Sequence, residues 1–307
     1  MGKAAAPHWP GNRGDRAGLR IAFRARAWVD GRHPPPEAAP PDLARQMELP
    51  MDTITHAPAD LLEAERRQAR IDMAAAHRIA VVHDFHEAID NHFTLAVPGR
   101  PRRYYLNRYG LHWAEVTASN LIEIDYDGTV VDGEGPADRS AICIHTPIHE
   151  IAGVECVLHT HMPYVTAISQ LEDMTIEMTG QSALQFNGRI AYDYDYNGFA
   201  HEHEEGERMA ALMDGKPILM LANHGVVVTG KNVAQAYHRL YYLERACRTQ
   251  MFTLWTGQRR RFVKEEVLEK MREQAGWKDP TMAMSGPEYH FAALKRVLDK
   301  TQPDYAD

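Results

Sequence analysis

Between residues 93 and 126 the chain carries short β-type runs, the first two joined by a connection too short to hold a crossover helix. Phe93–Val97, Tyr104–Asn107 and Leu121–Tyr126 are rich in β-branched and aromatic residues. Pro98-Gly99 separates the first two runs, and Asp127-Gly128 follows the third. Parallel neighbours need a crossover of about a dozen residues or more, so strands joined this closely pair antiparallel. Further strands are expected at Val154–Leu158, Arg189–Tyr194, Pro217–Ala222 and Val226–Thr229. Helical spacing of apolar residues marks Ala59–Phe85, with Asp60 as its N-cap, and the long segment Val233–Trp255. Helices are also expected at Asp138–Ile151, Pro163–Ser169, His201–Met213, Phe262–Ala275 and Tyr289–Lys300. The pattern predicts an α/β fold with a mixed, mainly antiparallel sheet covered by helices on both faces.

Composition narrows the functional classes. Residues 1–50 are rich in Pro, Gly, Ala and Arg without an apolar period, and read as a disordered N-terminal extension. One domain is expected over 51–260 and a C-terminal helical extension over 261–307. The net charge is −8 with no clustered basic run, which disfavours nucleic acid as a partner. No apolar run approaches the roughly 20 residues needed to cross a membrane. The three cysteines, Cys143, Cys156 and Cys247, are far apart, as in a chain from the reducing cytoplasm. No Gly-rich nucleotide motif is present.

The candidate chemistry lies in histidines at strand ends. In Val157-Leu158-His159-Thr160-His161 the two histidines are two apart, so an extended backbone presents both imidazoles on one face. Leu219-Met220-Leu221-Ala222-Asn223-His224-Gly225 ends a second apolar run in His224, and Gly225 allows a tight turn or a close backbone approach. Three neutral imidazoles would hold a divalent cation and leave positions open for substrate. A strand with merely polar ends gives the same short pattern, and the chain has 17 histidines.

Taken together, these motifs resemble the class II aldolase/adducin family. The resemblance rests on the run from His145 to His161, the Asn223-His224-Gly225 turn, Leu243-Glu244-Arg245-Ala246-Cys247, Asn107-Arg108-Tyr109-Gly110 and Glu115–Leu121. It covers about residues 58–257. It implies an α/β/α sandwich and a homotetramer with sites between subunits. It also implies His159, His161 and His224 as metal ligands, with Zn2+ first and Mn2+, Fe2+ or Co2+ as alternatives.

The chain departs from the family's sugar-phosphate aldolases. Their Pro-Ser-Ser-Glu motif, whose Glu is the acid/base, corresponds here to Pro136-Ala137-Asp138-Arg139, with Ala141 or a neighbour at the Glu position. Their Thr-Pro-Ser-Gly phosphate loop corresponds to Asn107-Arg108-Tyr109-Gly110. A phosphate site needs several converging donors, so a sugar phosphate is disfavoured as substrate. Ile144-His145-Thr146-Pro147-Ile148-His149 is similar to a branch in which some members decarboxylate aromatic or keto acids.

The reading that follows is a metal-dependent lyase acting on a small carboxylate through a stabilised enolate. An aldolase for a non-phosphorylated hydroxy-carbonyl compound and a non-catalytic adducin-like module are the alternatives. His145 is a candidate fourth ligand or proton donor, with His149 beside it as helix packing. Tyr192, ahead of Tyr194 and Tyr196, is a candidate proton donor, half-buried strand packing being the other reading. Arg108 is a candidate fork for a substrate carboxylate, or a surface ion pair. His92 and Asn107 complete the substrate-binding candidates. Glu244 is either a partner that orients a ligating imidazole or an interface residue.

Overall fold

The structure is a computed structural model describing residues 59–198, 200–274 and 281–307. The extension expected at 1–50 lies outside these residues. Helix α1 (Ala59–Val82) carries Asp60 inside its first turn rather than as its cap. Four strands follow: β1 (His92–Ala96), β2 (Arg103–Leu106), β3 (Ile122–Asp125) and β4 (Val130–Asp132). They pair antiparallel in a meander, and the β1–β2 and β3–β4 connections are too short for any other pairing. Strand β4 has no buried residue, so it carries no alternation for the sequence to reveal.

Helix α2 (Arg139–Ala152) begins where the Asp138 carboxylate accepts from the N–H groups of Ser140 and Ala141, and stops at Gly153 in the left-handed region. Strand β5 (Cys156–Thr160), helix α3 (Pro163–Ser169) and the single turn α4 (Gln181–Leu184) come next. Then β6 (Ile190–Asp193) connects through α5 (His203–Met213) to β7 (Ile218–Leu221). The chain closes with β8 (Gly225–Gly230), α6 (Val233–Trp255), α7 (Glu265–Gln274) and α8 (Gly286–Leu298).

All eight strands form one sheet in the order β4-β3-β2-β1-β5-β8-β7-β6. Only β6 and β7 run parallel, and among consecutive strands that pair with each other theirs is the connection that holds a crossover helix, α5. The fold is an α/β sandwich with a mainly antiparallel central sheet and helices on both faces.

The two faces differ. Leu158, Met220 and Val228 point toward α1, α6 and α8, where Phe291, Leu298 and Tyr305 join the same core. The C-terminal segment is also tied in by Arg78, which donates to Val116 O at 2.8 Å and pairs with Asp304 at 2.8 Å. Val157, Leu219 and Val227 point the other way, toward Cys143 and Ile144 of α2 and Met209 of α5. Pro147 cannot donate to the Cys143 carbonyl one turn back. Gly206 of α5 packs against that carbonyl, where a Cβ would stand 2.1 Å from Cys143 O. Helices α2 and α5 therefore meet at backbone distance, and the face they cover carries the site. Among the described residues no helix is long and apolar enough to cross a membrane.

Candidate metal centre

His159 lies inside β5, not after it, and points to the α2/α5 face with Val157. His161 follows on the same side. The third imidazole arrives from the β7–β8 turn, where Asn223 takes a left-handed φ of 55°. Asparagine tolerates that region because its side chain can satisfy the local backbone. Gly225 is required by close approach, since a Cβ there would sit 2.5 Å from Thr160 O and 2.9 Å from His161 Cδ2. One donor atom from each of His159, His161 and His224 lies within 4.8 Å of the others.

Two of these rings are already oriented. His159 Nδ1 stands 3.0 Å from Val226 O, and His161 Nδ1 stands 2.6 Å from Glu87 Oε2. Both partners accept only, so in the neutral rings each Nδ1 carries the proton and each Nε2 presents a lone pair. Those two Nε2 atoms face each other at 3.1 Å with no hydrogen to share. Bare lone pairs at this distance repel, whereas two nitrogens on one tetrahedral zinc at about 2.0–2.1 Å stand roughly 3.3 Å apart. The donor set therefore fits a divalent cation. Burial, then the charges of His224 and His161, pushes the His159 imidazole well below its ordinary range. Burial brings His224 down to about 4. Both rings are neutral at pH 7, as ligation requires.

Behind the cluster runs a buried row of polar groups. The His92 ring lies 5.1 Å from that of His159. Its Nδ1 is 2.9 Å from His145 Nε2, and its Nε2 is 3.2 Å from Ser140 Oγ. Ser140 Oγ donates to Asp138 at 2.6 Å. On the other side, Thr94 Oγ1 bridges His145 Nδ1 and His149 Nε2, both at 2.8 Å, and His149 Nδ1 reaches Val154 O at 2.7 Å. The row thus makes six contacts between two acceptors, the Asp138 carboxylate and the Val154 carbonyl. Its five neutral members supply five protons. The row holds one extra proton or leaves one contact without hydrogen.

Residues 71–251 match the Class II Aldolase and Adducin N-terminal domain. The chain belongs to the class II aldolase and adducin family. It is 32% identical over 244 residues to a Caulobacter vibrioides protein provisionally named a class 2 aldolase, covering 78% of this chain and 92% of that one. A solved aldolase II superfamily protein from Pseudomonas syringae superposes with a TM-score of 0.74 at 33% identity, across 82% of this chain and 100% of the other. Beta-adducin of Homo sapiens is 28% identical over 271 residues, which span 82% of this chain and 36% of that protein.

Several residues of this class II aldolase/adducin chain stand elsewhere than the sequence suggested. His92 belongs to β1, opposite His159 in the ladder, and is buried with both nitrogens engaged. It stands behind the cluster, with neither ring nitrogen left over for a ligand. His145 is fully buried with both nitrogens engaged, so it neither ligates nor donates to a bound molecule directly. Tyr192 packs on the α1/α6 face, where its hydroxyl accepts from Ile176 N at 3.1 Å. Tyr196 is the tyrosine beside the imidazoles, its ring 5.9 Å from that of His224. Asn107 is buried next to His77, away from solvent. Arg108 is half-buried over Gly135 and forms no ion pair among the described residues. Glu244 orients no imidazole. It accepts from Tyr164 N and Val165 N, both at 2.9 Å, and so caps α3 just after His161.

Two supports escaped the sequence reading. Glu87 holds His161 Nδ1, and Asn91 Oδ1 accepts from His161 N at 3.2 Å. Both lie on the loop after α1, where Asp84, Ala88 and Asn91 all have positive φ. Such backbone costs about 1–3 kcal/mol per residue and persists only where its surroundings hold it.

Proposed function

We propose that this chain is a divalent-metal-dependent carbon–carbon lyase that decarboxylates a small aromatic or oxo/hydroxy acid. The observation that carries the reading is the pair of Nε2 lone pairs on His159 and His161, 3.1 Å apart and each fixed by an acceptor behind the ring. With His224 they would hold the cation; Zn2+ suits three imidazoles, and Mn2+, Fe2+ and Co2+ also accept nitrogen ligands. Once bound, such a cation supplies a Lewis acid that polarises a substrate oxygen and disperses the charge left by the broken bond.

The protein's own groups then divide the remaining work. Glu87 fixes the tautomer and orientation of His161. Arg108, with no protein carboxylate to pair with among the described residues, is available to grip a substrate carboxylate through two parallel N–H donors. Tyr196 is the hydroxyl we assign to protonating the carbon, in place of Tyr192 and His145. Decarboxylation is favoured over aldol cleavage by the chemistry at 138–141. By resemblance, Ala141 or a neighbour stands where the family's aldolases carry their acid/base Glu, and Asp138 is committed to capping α2. Loss of CO2 needs no base to take a hydroxyl proton. A homotetramer agrees with the exposed apolar side chains Phe252, Trp255 and Phe262 on and just after α6.

The test is to load the protein with each metal and offer it a panel of carboxylic acids. Metal-dependent CO2 release supports the proposal. Aldehyde release without CO2 replaces it with an aldolase on a non-phosphorylated hydroxy-carbonyl substrate. A chain that takes up none of the metals is an adducin-like module without this chemistry.

A further inference from the structure

The opposite ends of the same central strands carry a different set of side chains. Cys156 at the start of β5 pairs with Gly230 at the end of β8, and Ile218 at the start of β7 pairs with Val228 and with Ile190 at the start of β6. The imidazoles lie at the other ends, around Thr160 and Gly225. Here two cavities of about 590 and 840 Å³ open, and Arg189, Gln235 and Arg239 line both.

The two arginines are half-buried and have no carboxylate partner among the described residues. Each is anchored to the backbone through one nitrogen: Arg239 Nη1 donates to Thr229 O, and Arg189 Nη1 to Gln185 O at 3.5 Å. A guanidinium has five N–H donors, so each keeps most of its fork free. Lys216 and Lys231 add two cations to the larger cavity, against the exposed Glu155 and Asp214. Glu288 is the carboxylate lining the smaller one. In the larger cavity four cations thus face two carboxylates. Burial and the charge of Arg189 bring Arg239 down to about 10. Withdrawing two like charges from water without a counter-charge is costly, and a bound anion offsets that cost. Gln235 lies in the first turn of the 23-residue helix α6, whose positive end adds to the same field.

We propose that Arg189 and Arg239 form a binding site for a tetrahedral oxyanion of the phosphate class, separate from the imidazole cluster. Paired planar forks match phosphate oxygens geometrically, which lone lysines do not. The anion is inorganic phosphate or the phosphate group of a small phosphorylated molecule.

The experiment uses the full chain, titrated with sodium phosphate and, at matched ionic strength, with sodium chloride, followed by calorimetry and thermal unfolding. Wild type is expected to bind one phosphate saturably and to unfold at higher temperature as phosphate is added. Arg189→Gln and Arg239→Gln should each weaken binding at least tenfold, and the double variant should not respond. Should a Gln variant fail to fold, Arg189→Lys and Arg239→Lys decide, because they keep the charge and remove the fork; a loss of response supports the site, and wild-type affinity overturns it. His224→Ala is expected to keep the full response. A wild-type response no larger than that to chloride, a response surviving in the double variant, or one lost in His224→Ala overturns the proposal. Glycerol phosphate binding at least tenfold more tightly than phosphate identifies a phosphorylated ligand, and equal or weaker binding identifies free phosphate.

Discussion

The two ends of β5, β7 and β8 are built from the same apolar strands and carry opposite chemistry. At one end three imidazoles converge, and two of them have protons fixed on the outer nitrogen by Val226 O and Glu87. At the other end two guanidinium groups face cavities without carboxylate partners among the described residues. An imidazole can shed its charge on burial and become a lone-pair donor, whereas a guanidinium stays charged. Burial therefore turns histidines into a place for a cation and leaves arginines as a place for an anion. The ligand class of each end follows from how its side chains respond to desolvation.

Replacing His159 by Ala makes the largest break in this comparison. It should lower metal affinity more than a hundredfold, beyond the roughly 10–100-fold typical of removing a supporting residue. It should abolish turnover and leave phosphate binding at the arginine end unchanged. Metal analysis and calorimetry on one preparation check both, and a joint loss would mean the ends are not independent.

Acid should act through the buried histidines. His77 and His149 are buried, and burial brings each down to about 4. Unfolded, they take up a proton near pH 6.5. Between pH 6.5 and 4 the unfolded chain binds more protons, so stability falls as pH falls through that window. Each histidine costs roughly 3 kcal/mol by pH 4, at about 1.36 kcal/mol per pKa unit. Total stability is only about 5–15 kcal/mol, so the two together bring the chain close to unfolding. Urea midpoints should drop steeply from pH 7 to pH 4.5, and a flat profile contradicts the buried neutral state.

Glu87→Gln should weaken metal binding by about 10–100-fold without abolishing it, measured by competition with a chelator. Unchanged affinity would remove Glu87 from the centre. The smallest effect is expected at Arg108. Arg108→Ala should raise KM for the carboxylate several-fold with metal content constant, and an unaltered KM would show that Arg108 does not touch substrate.

Much of the fold was legible where residues act as punctuation. Helices α3 and α6 begin and end where the sequence placed them, because Pro163 opens one and Asn232 caps the other. The antiparallel pairing of β1 with β2 followed from the length of their connection. Strand β5 was placed too early because histidines carry no apolar mark, so nothing signalled that the strand continues through His159. The three converging imidazoles were legible because each stands at an apolar strand's end. Glu87 was not, since it is 74 residues from His161 and reaches it only through the folded loop. For Tyr192 the sequence left proton donor and strand packing open, because alternation reveals that residues share a face but not which face. Its side chain joins the α1/α6 core, while the imidazoles lie on the other side of the sheet.

The most direct measurement is the metal content of the purified chain after loading with Zn2+ and gel filtration, beside His224→Ala treated alike. The account predicts one tightly held ion per wild-type chain and almost none in the variant. A wild type that retains no ion, or a variant that retains as much, contradicts it.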